Sequence, residues 1–103
     1  MPQKYRLTVA DLKAFRPDRR LSSVYFSLGI GKASRAGVAC VVSKKVSLRA
    51  VDRNRVKRRT RAALTPHLAR LSPASYVFHA KKEALSATSQ ELVRDIERLL
   101  ARL

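Results

Sequence analysis

Nine consecutive residues, Arg53-Asn54-Arg55-Val56-Lys57-Arg58-Arg59-Thr60-Arg61, carry six cationic side chains around one asparagine. On a helix, like charges at i,i+4 destabilise by about 0.2–0.5 kcal/mol per pair. A partner outside the chain must compensate them, and a polyanion has the matching chemistry. Hydrolysis by the chain itself finds no support in its carboxylates. A two-metal nuclease needs acids that converge, whereas four of the seven acidic residues follow residue 82, leaving Asp11, Asp18 and Asp52 among the cations. His67 and His79 lack companion ligands at metal-binding spacing and read as ordinary surface or half-buried residues. Cys40 is alone in an apolar run, which predicts a small core residue, not half of a disulfide or part of a cysteine metal site.

The charge is unevenly spread. Residues 1–82 hold twenty Lys and Arg against three Asp and Glu, net +17, and residues 83–103 hold three against four, net −1. A formal +16 on 103 residues sets up a field that attracts nucleic acid and makes binding fall steeply with salt. The cations alternate with Val, Leu, Ala and Phe at structured spacings, so they are not a low-complexity tail. Length and 46% hydrophobic residues suit one domain over residues 1–103, without repeats or linkers. No apolar stretch approaches the roughly 20 residues that span a bilayer, and the N-terminus lacks a signal-peptide core. The expectation is a cytoplasmic protein.

These side chains must be positioned by a few short elements. Residues 8–15 predict a short helix with Thr8 and Asp11 as a capping box, stopped by Pro17. Val24-Tyr25-Phe26-Ser27-Leu28 predicts a strand ending at Gly29 and Gly31, and a short basic loop with Lys32 and Arg35 leads to a second apolar run, Val38-Ala39-Cys40-Val41-Val42. The two are expected to pair as a hairpin. Val77 and Phe78 open a third strand running into Ala80-Lys81-Lys82. Thr88 and Glu91 cap a closing helix whose Leu92, Val93, Ile96, Leu99, Leu100 and Leu103 share a face against the sheet. Along that helix Glu91, Asp95 and Glu97 alternate with Arg94, Arg98 and Arg102, which reads as solvated pairs. Thr65-Pro66 ends the basic helix and starts a short one through Leu71.

On a wheel of about 100° per residue, Val56, Thr60, Ala63 and Leu64 cluster on one side of the basic helix. Asn54, Arg58 and Arg61 lie opposite, with Arg55, Lys57 and Arg59 on the flanks. One face packs and the other is offered. Ser43-Lys44-Lys45 and Arg49 add three cations where the chain leaves the sheet.

Val42-Ser43-Lys44-Lys45-Val46, Ala50-Val51 and Arg53-Asn54-Arg55-Val56-Lys57-Arg58 together resemble the signature of the protein subunit of bacterial ribonuclease P. The resemblance runs in order over nearly the whole chain, from the N-terminal helix with its aromatic to Ala80-Lys81-Lys82 and the closing helix. It implies an α/β (α+β) two-layer sandwich with a small mixed sheet, a left-handed βαβ crossover through the Arg-Asn-Arg helix, and N- and C-terminal helices. The family has four strands; the residues alone reveal three, so one short strand is unplaced.

The resemblance also implies a function. In that family a catalytic RNA, holding Mg²⁺, hydrolyses the bond joining the 5′ leader to the tRNA body in precursor tRNA, while the small basic protein binds that RNA and the leader. Enzyme activity would belong to the ribonucleoprotein, with no catalytic residue and no direct metal ligand in the chain. Carried over by position, Arg49, Arg53, Asn54, Arg55, Lys57, Arg58 and Arg61 would face the catalytic RNA, Asn54 as helix N-cap or as N-cap with an RNA or hydrated-metal contact. Phe15, Tyr25, Phe26, Lys44, Lys45, Lys81 and Lys82 would line a leader cleft, since single strands favour a positive groove with aromatic faces. Phe15 and Phe26 each have an alternative as core residues, and Tyr25 is the ring expected on the opposite sheet face if Phe26 is buried. The chain departs from the family where Asp11 or Leu12 replaces a second helix aromatic and where Leu28-Gly29 replaces an aromatic after Phe26. A structural or ribosomal RNA-binding protein is the alternative reading, and a DNA-binding module a third.

Overall fold

The computed structural model describes residues 3–103. A capped first helix, α1 (Val9–Ala14), leads into β1 (Pro17–Ser22), β2 (Phe26–Gly31) and β3 (Gly37–Val41). The basic helix α2 (Ala50–Leu64), β4 (Ser75–Ala80) and the closing helix α3 (Ser89–Ala101) follow. Short 3₁₀ turns occupy Gln3–Tyr5, Thr65–Arg70 and Lys82–Leu85.

The four strands form one mixed sheet in the order β1-β2-β4-β3. β2 is antiparallel to both β1 and β4, whereas β3 is parallel to β4. The expected β2–β3 hairpin is therefore corrected: β4 lies between them. β3 returns to β4 through α2, the long crossover that parallel neighbours require. β1 is the unplaced fourth strand. It is an edge strand begun by a proline and carrying Asp18, Arg19 and Arg20, which suits an edge and hides the alternation of a buried strand. The edge at β3 is met by the N-terminal segment, where the Leu7 amide donates to the Val38 carbonyl at 3.1 Å.

The core lies between the sheet and the α2–α3 layer. Phe26, Leu28 and Ile30 of β2 alternate inward, as do Tyr76 and Phe78 of β4 and Val38 and Cys40 of β3. Phe26 and Phe78 meet edge to face with centroids 5.9 Å apart, the favoured aromatic geometry. The helices complete the core with Val56, Ala63 and Leu64 of α2 and with Leu92, Ile96 and Leu99 of α3. Thr60, also on the packed face, satisfies its buried hydroxyl by donating to the Val56 carbonyl at 2.8 Å, the back-bond open to a mid-helix threonine. All four residues on the expected packing side of α2 are buried. Burial pushes the Cys40 thiol above its ordinary pKa, which makes it inert packing.

Both expected capping boxes form. Thr8 and Asp11 at α1, and Thr88 and Glu91 at α3, exchange side-chain and backbone hydrogen bonds. Each carboxylate accepts a backbone N–H and sits below its ordinary pKa for that reason first. The acids of α3 do not form the expected pairs along the helix. Asp95 is buried and accepts from the Ser23 hydroxyl at 2.6 Å and the Tyr25 amide at 3.1 Å, so it pins the β1–β2 turn to the helix layer. Glu97 lies 4.0 Å from His67. Among the described residues, no helix is long and apolar enough to cross a membrane.

Candidate nucleic-acid interface

α2 begins at Ala50 with Arg49 as N-cap. Asn54 is therefore inside the helix, exposed one turn on, and its expected N-cap role is corrected. Asp52 occupies the first turn, where the helix dipole favours an anion. It accepts from the Ser47 hydroxyl at 3.2 Å and lies 3.6 Å from Arg55 and 3.9 Å from Arg49.

The cations of α2 divide by what they touch. Arg53 donates to the Ser47 carbonyl at 2.9 Å, Arg55 to the Leu85 carbonyl at 3.4 Å and Arg59 to the Ala87 carbonyl at 3.2 Å. These three hold the loop before the helix and the loop before α3. Lys57, Arg58 and Arg61 have no side-chain hydrogen bond or ion pair among the described residues, and neither has Asn54. Asn54 and Arg58 are exposed, Lys57 and Arg61 half-buried, so the offered face matches the helical wheel. Compensation of these charges falls to whatever binds there.

A second basic surface lies on the sheet face away from α2 and α3. Strand register places residues of this face in rows: Pro17, Gly31, Ser75 and Gly37; then Arg20, Gly29, Val77 and Ala39; then Ser22, Ser27, His79 and Val41. On this face β2 contributes only Ser27, Gly29 and Gly31, without large side chains, and Gly29, Gly31 and the neighbouring Val77 are buried. Phe15, at the end of α1, lies over its first two rows. A Cβ built on Gly29 would be 3.1 Å from the ring, and one on Gly31 2.9 Å from it. The ring can approach the backbone this closely because both positions are glycine. Phe15 is half-buried.

The other expected leader residues separate. Phe26 is 0% exposed in the core, so its place in a leader cleft is corrected: it faces the helices. Tyr25 precedes β2, outside the alternation that would have turned it to the open face. Its hydroxyl donates to Glu91 on α3 at 3.0 Å, which raises its pKa, and it stands against the helix layer. Lys44, Lys45 and Lys82 are exposed beyond β3 and β4, which run parallel and so leave the sheet at one end. Lys81 joins that end but is engaged, its ammonium donating to the Ser22 hydroxyl and the Ser23 carbonyl, each at 2.6 Å. From the Phe15 rows to this cationic end is roughly 13–20 Å at about 3.3 Å per residue.

Two residues of the open face carry no functional signal in the sequence: Arg20, and His79, which reads there as an ordinary surface or half-buried residue. Arg20 needed β1 to be recognised, and His79 needed its strand neighbours. The His79 pKa is lowered, first by partial burial of the ring and then by the Arg20 charge. Among the described residues no three His, Cys, Asp or Glu side chains gather where a metal ion could be held. The side chains that α2 offers outward are Asn54, Lys57, Arg58 and Arg61, cations and one amide, which do not fit direct ligation of Mg²⁺.

The model of the family described as Ribonuclease P matches residues 1–103. The chain is 32% identical over 108 residues to the ribonuclease P protein component of Thioalkalivibrio sulfidiphilus, covering 99% of this chain and 88% of that one. It is similar in fold to the Staphylococcus aureus RNase P protein, with a TM-score of 0.83 at 21% identity over 95% of this chain and 94% of that one. The RNase P protein from Thermotoga maritima gives a TM-score of 0.80 at 20% identity over 95% and 96%.

Proposed function

The chain belongs to the bacterial ribonuclease P protein family, and from that premise we propose that it binds the catalytic RNA through α2 and the 5′ leader of precursor tRNA along the open sheet face. The observation that carries the proposal is the division of α2. Val56, Thr60, Ala63 and Leu64 are buried while Asn54, Lys57, Arg58 and Arg61 present polar and cationic groups without partners among the described residues. A helix that folds one face into the core and leaves unneutralised charge on the other gains affinity from phosphates by counterion release.

In this reading Arg58 and Arg61 take phosphates, with Lys57 at the flank and Arg49 at the helix start. Arg53, Arg55 and Arg59 act through the loops they hold. Phe15 stacks a leader base, and Lys44, Lys45 and Lys82 take leader phosphates, an arrangement that suits single strands. Lys81 fixes the end of β1 beside them. Mg²⁺ belongs to the partner RNA, and Asn54 reaches a hydrated ion only through water. The enzyme is the ribonucleoprotein endoribonuclease that removes the leader during tRNA 5′ maturation; the chain alone contributes binding.

Identification of RNA that co-purifies with the tagged chain from its source tests the assignment. One structured RNA of a few hundred nucleotides is expected. Ribosomal RNA in its place overturns the reading in favour of a ribosomal protein.

A further inference from the structure

We propose that His79 is a second base platform in the leader cleft, holding the nucleotide next to the one on Phe15 on the side of Lys81. This rests on the cleft reading above and adds a leader-contacting residue to it.

The strand register carries the argument. His79 projects from β4 on the same face as Val77, whose β2 partner Gly29 lies under the Phe15 ring, and stands two residues further along the strand. Two residues of strand advance about 7 Å, one step of an extended single strand. Its β2 partner is Ser27 and its β3 partner Val41, so no large ring competes for the space above that row. Arg20 stands on β1 opposite Gly29, on the same face as His79 and one row from it. His79 is exposed, and its side chain makes no hydrogen bond among those that fix the sheet ends. An exposed aromatic ring one strand row from a guanidinium, and one nucleotide step from a second ring, suits a base with its phosphate on Arg20. The acids that face other parts of the chain, Asp95 and Glu91, are held by the β1–β2 turn and Tyr25 on the opposite layer. The phosphate would meet no carboxylate from them.

The test uses the holoenzyme reconstituted with the catalytic RNA, and precursor tRNAs with leaders of one or several nucleotides. His79→Ala and His79→Gln should each weaken binding of the long-leader substrate roughly tenfold and leave the one-nucleotide substrate unchanged, while His79→Phe should retain wild-type affinity. Replacing the corresponding leader base by an abasic site should abolish the difference between wild type and His79→Ala. Equal affinity of wild type and His79→Ala for the long leader, or equal losses on both substrates, overturns the inference. So does a His79→Phe that binds as weakly as His79→Ala. A wild-type holoenzyme that gains no affinity from a longer leader overturns the cleft itself, whereas a wild-type gain untouched by His79→Ala overturns only the role of His79.

Discussion

Phe15 rests on Gly29: a Cβ added to that glycine would stand 3.1 Å from the phenyl Cε2 and 3.2 Å from Cζ. Phe15 is the C-cap of α1, and Gly29 belongs to the Leu28-Gly29 pair that stands where the resemblance implies an aromatic after Phe26. The Phe15 ring occupies the space that a side chain at position 29 would take. This holds Phe15 against the sheet while the residue stays outside the core cluster.

On the proposed reading this ring is a base platform, which makes Phe15→Ala informative. In the holoenzyme the substitution should cost about 1–3 kcal/mol in binding a precursor with a leader of several nucleotides, and little with a one-nucleotide leader. Truncation of a packed core aromatic would instead cost about 3–5 kcal/mol of stability and affect both substrates alike. Thermal melting of the free protein beside the two binding curves distinguishes the outcomes.

Gly31→Ala should destabilise the fold more than Gly29→Ala. Its Cβ would lie 2.9 Å from the Arg16 carbonyl oxygen, which is backbone, as well as against Phe15. The connection from α1 to β1 has to shift, at about 1–3 kcal/mol by the usual cost of overpacking. At Gly29 the near atoms are a side-chain ring and a proline Cβ, which yield more easily. Urea denaturation of both variants measures the order.

Arg58→Ala and Arg59→Ala are adjacent substitutions with opposite expected effects. Arg58 is exposed without intramolecular partners among the described residues, so its loss should leave melting unchanged, weaken RNA binding and reduce the salt slope by about 0.7–0.9 for one phosphate contact. Arg59 donates to the Ala87 carbonyl, and its loss should lower stability by about 0.5–1.5 kcal/mol. Binding isotherms over a salt series, paired with denaturation, read both.

Asp95→Ala should open the β1–β2 turn. The carboxylate is 2% exposed and receives both the Ser23 hydroxyl and the Tyr25 amide. Removing it strands those donors, at about 1–3 kcal/mol for each one left unsatisfied. Amide hydrogen exchange at Tyr25 and Phe26 should accelerate relative to the strand centres.

α2 was legible because its evidence is local: apolar residues at 56, 60, 63 and 64 fall on one side of a helix whatever surrounds it, and all are buried. The same locality made both capping boxes readable. What failed was non-local. Consecutive strands pair about two times in three, and nothing in residues 24–42 records that β4, more than thirty residues on, enters between them. Tyr25 was misplaced because strand alternation was extended one residue beyond the strand. The commitments of Arg53, Arg55, Arg59 and Lys81 were hidden for a related reason. Their acceptors are mostly backbone carbonyls of loops, which every residue possesses and no sequence pattern marks.

The central claim is that the chain serves an RNA that does the cutting, and reconstituted cleavage tests it most directly. Purified protein with Mg²⁺, freed of RNA by nuclease treatment, is incubated with precursor tRNA alone and again with the catalytic RNA at low salt and low Mg²⁺. The account predicts intact substrate in the first reaction and, in the second, one cut at the 5′ end of the mature tRNA, faster than with the RNA alone. Cleavage by the RNA-free protein, or a catalytic RNA whose rate the protein does not change, would contradict it.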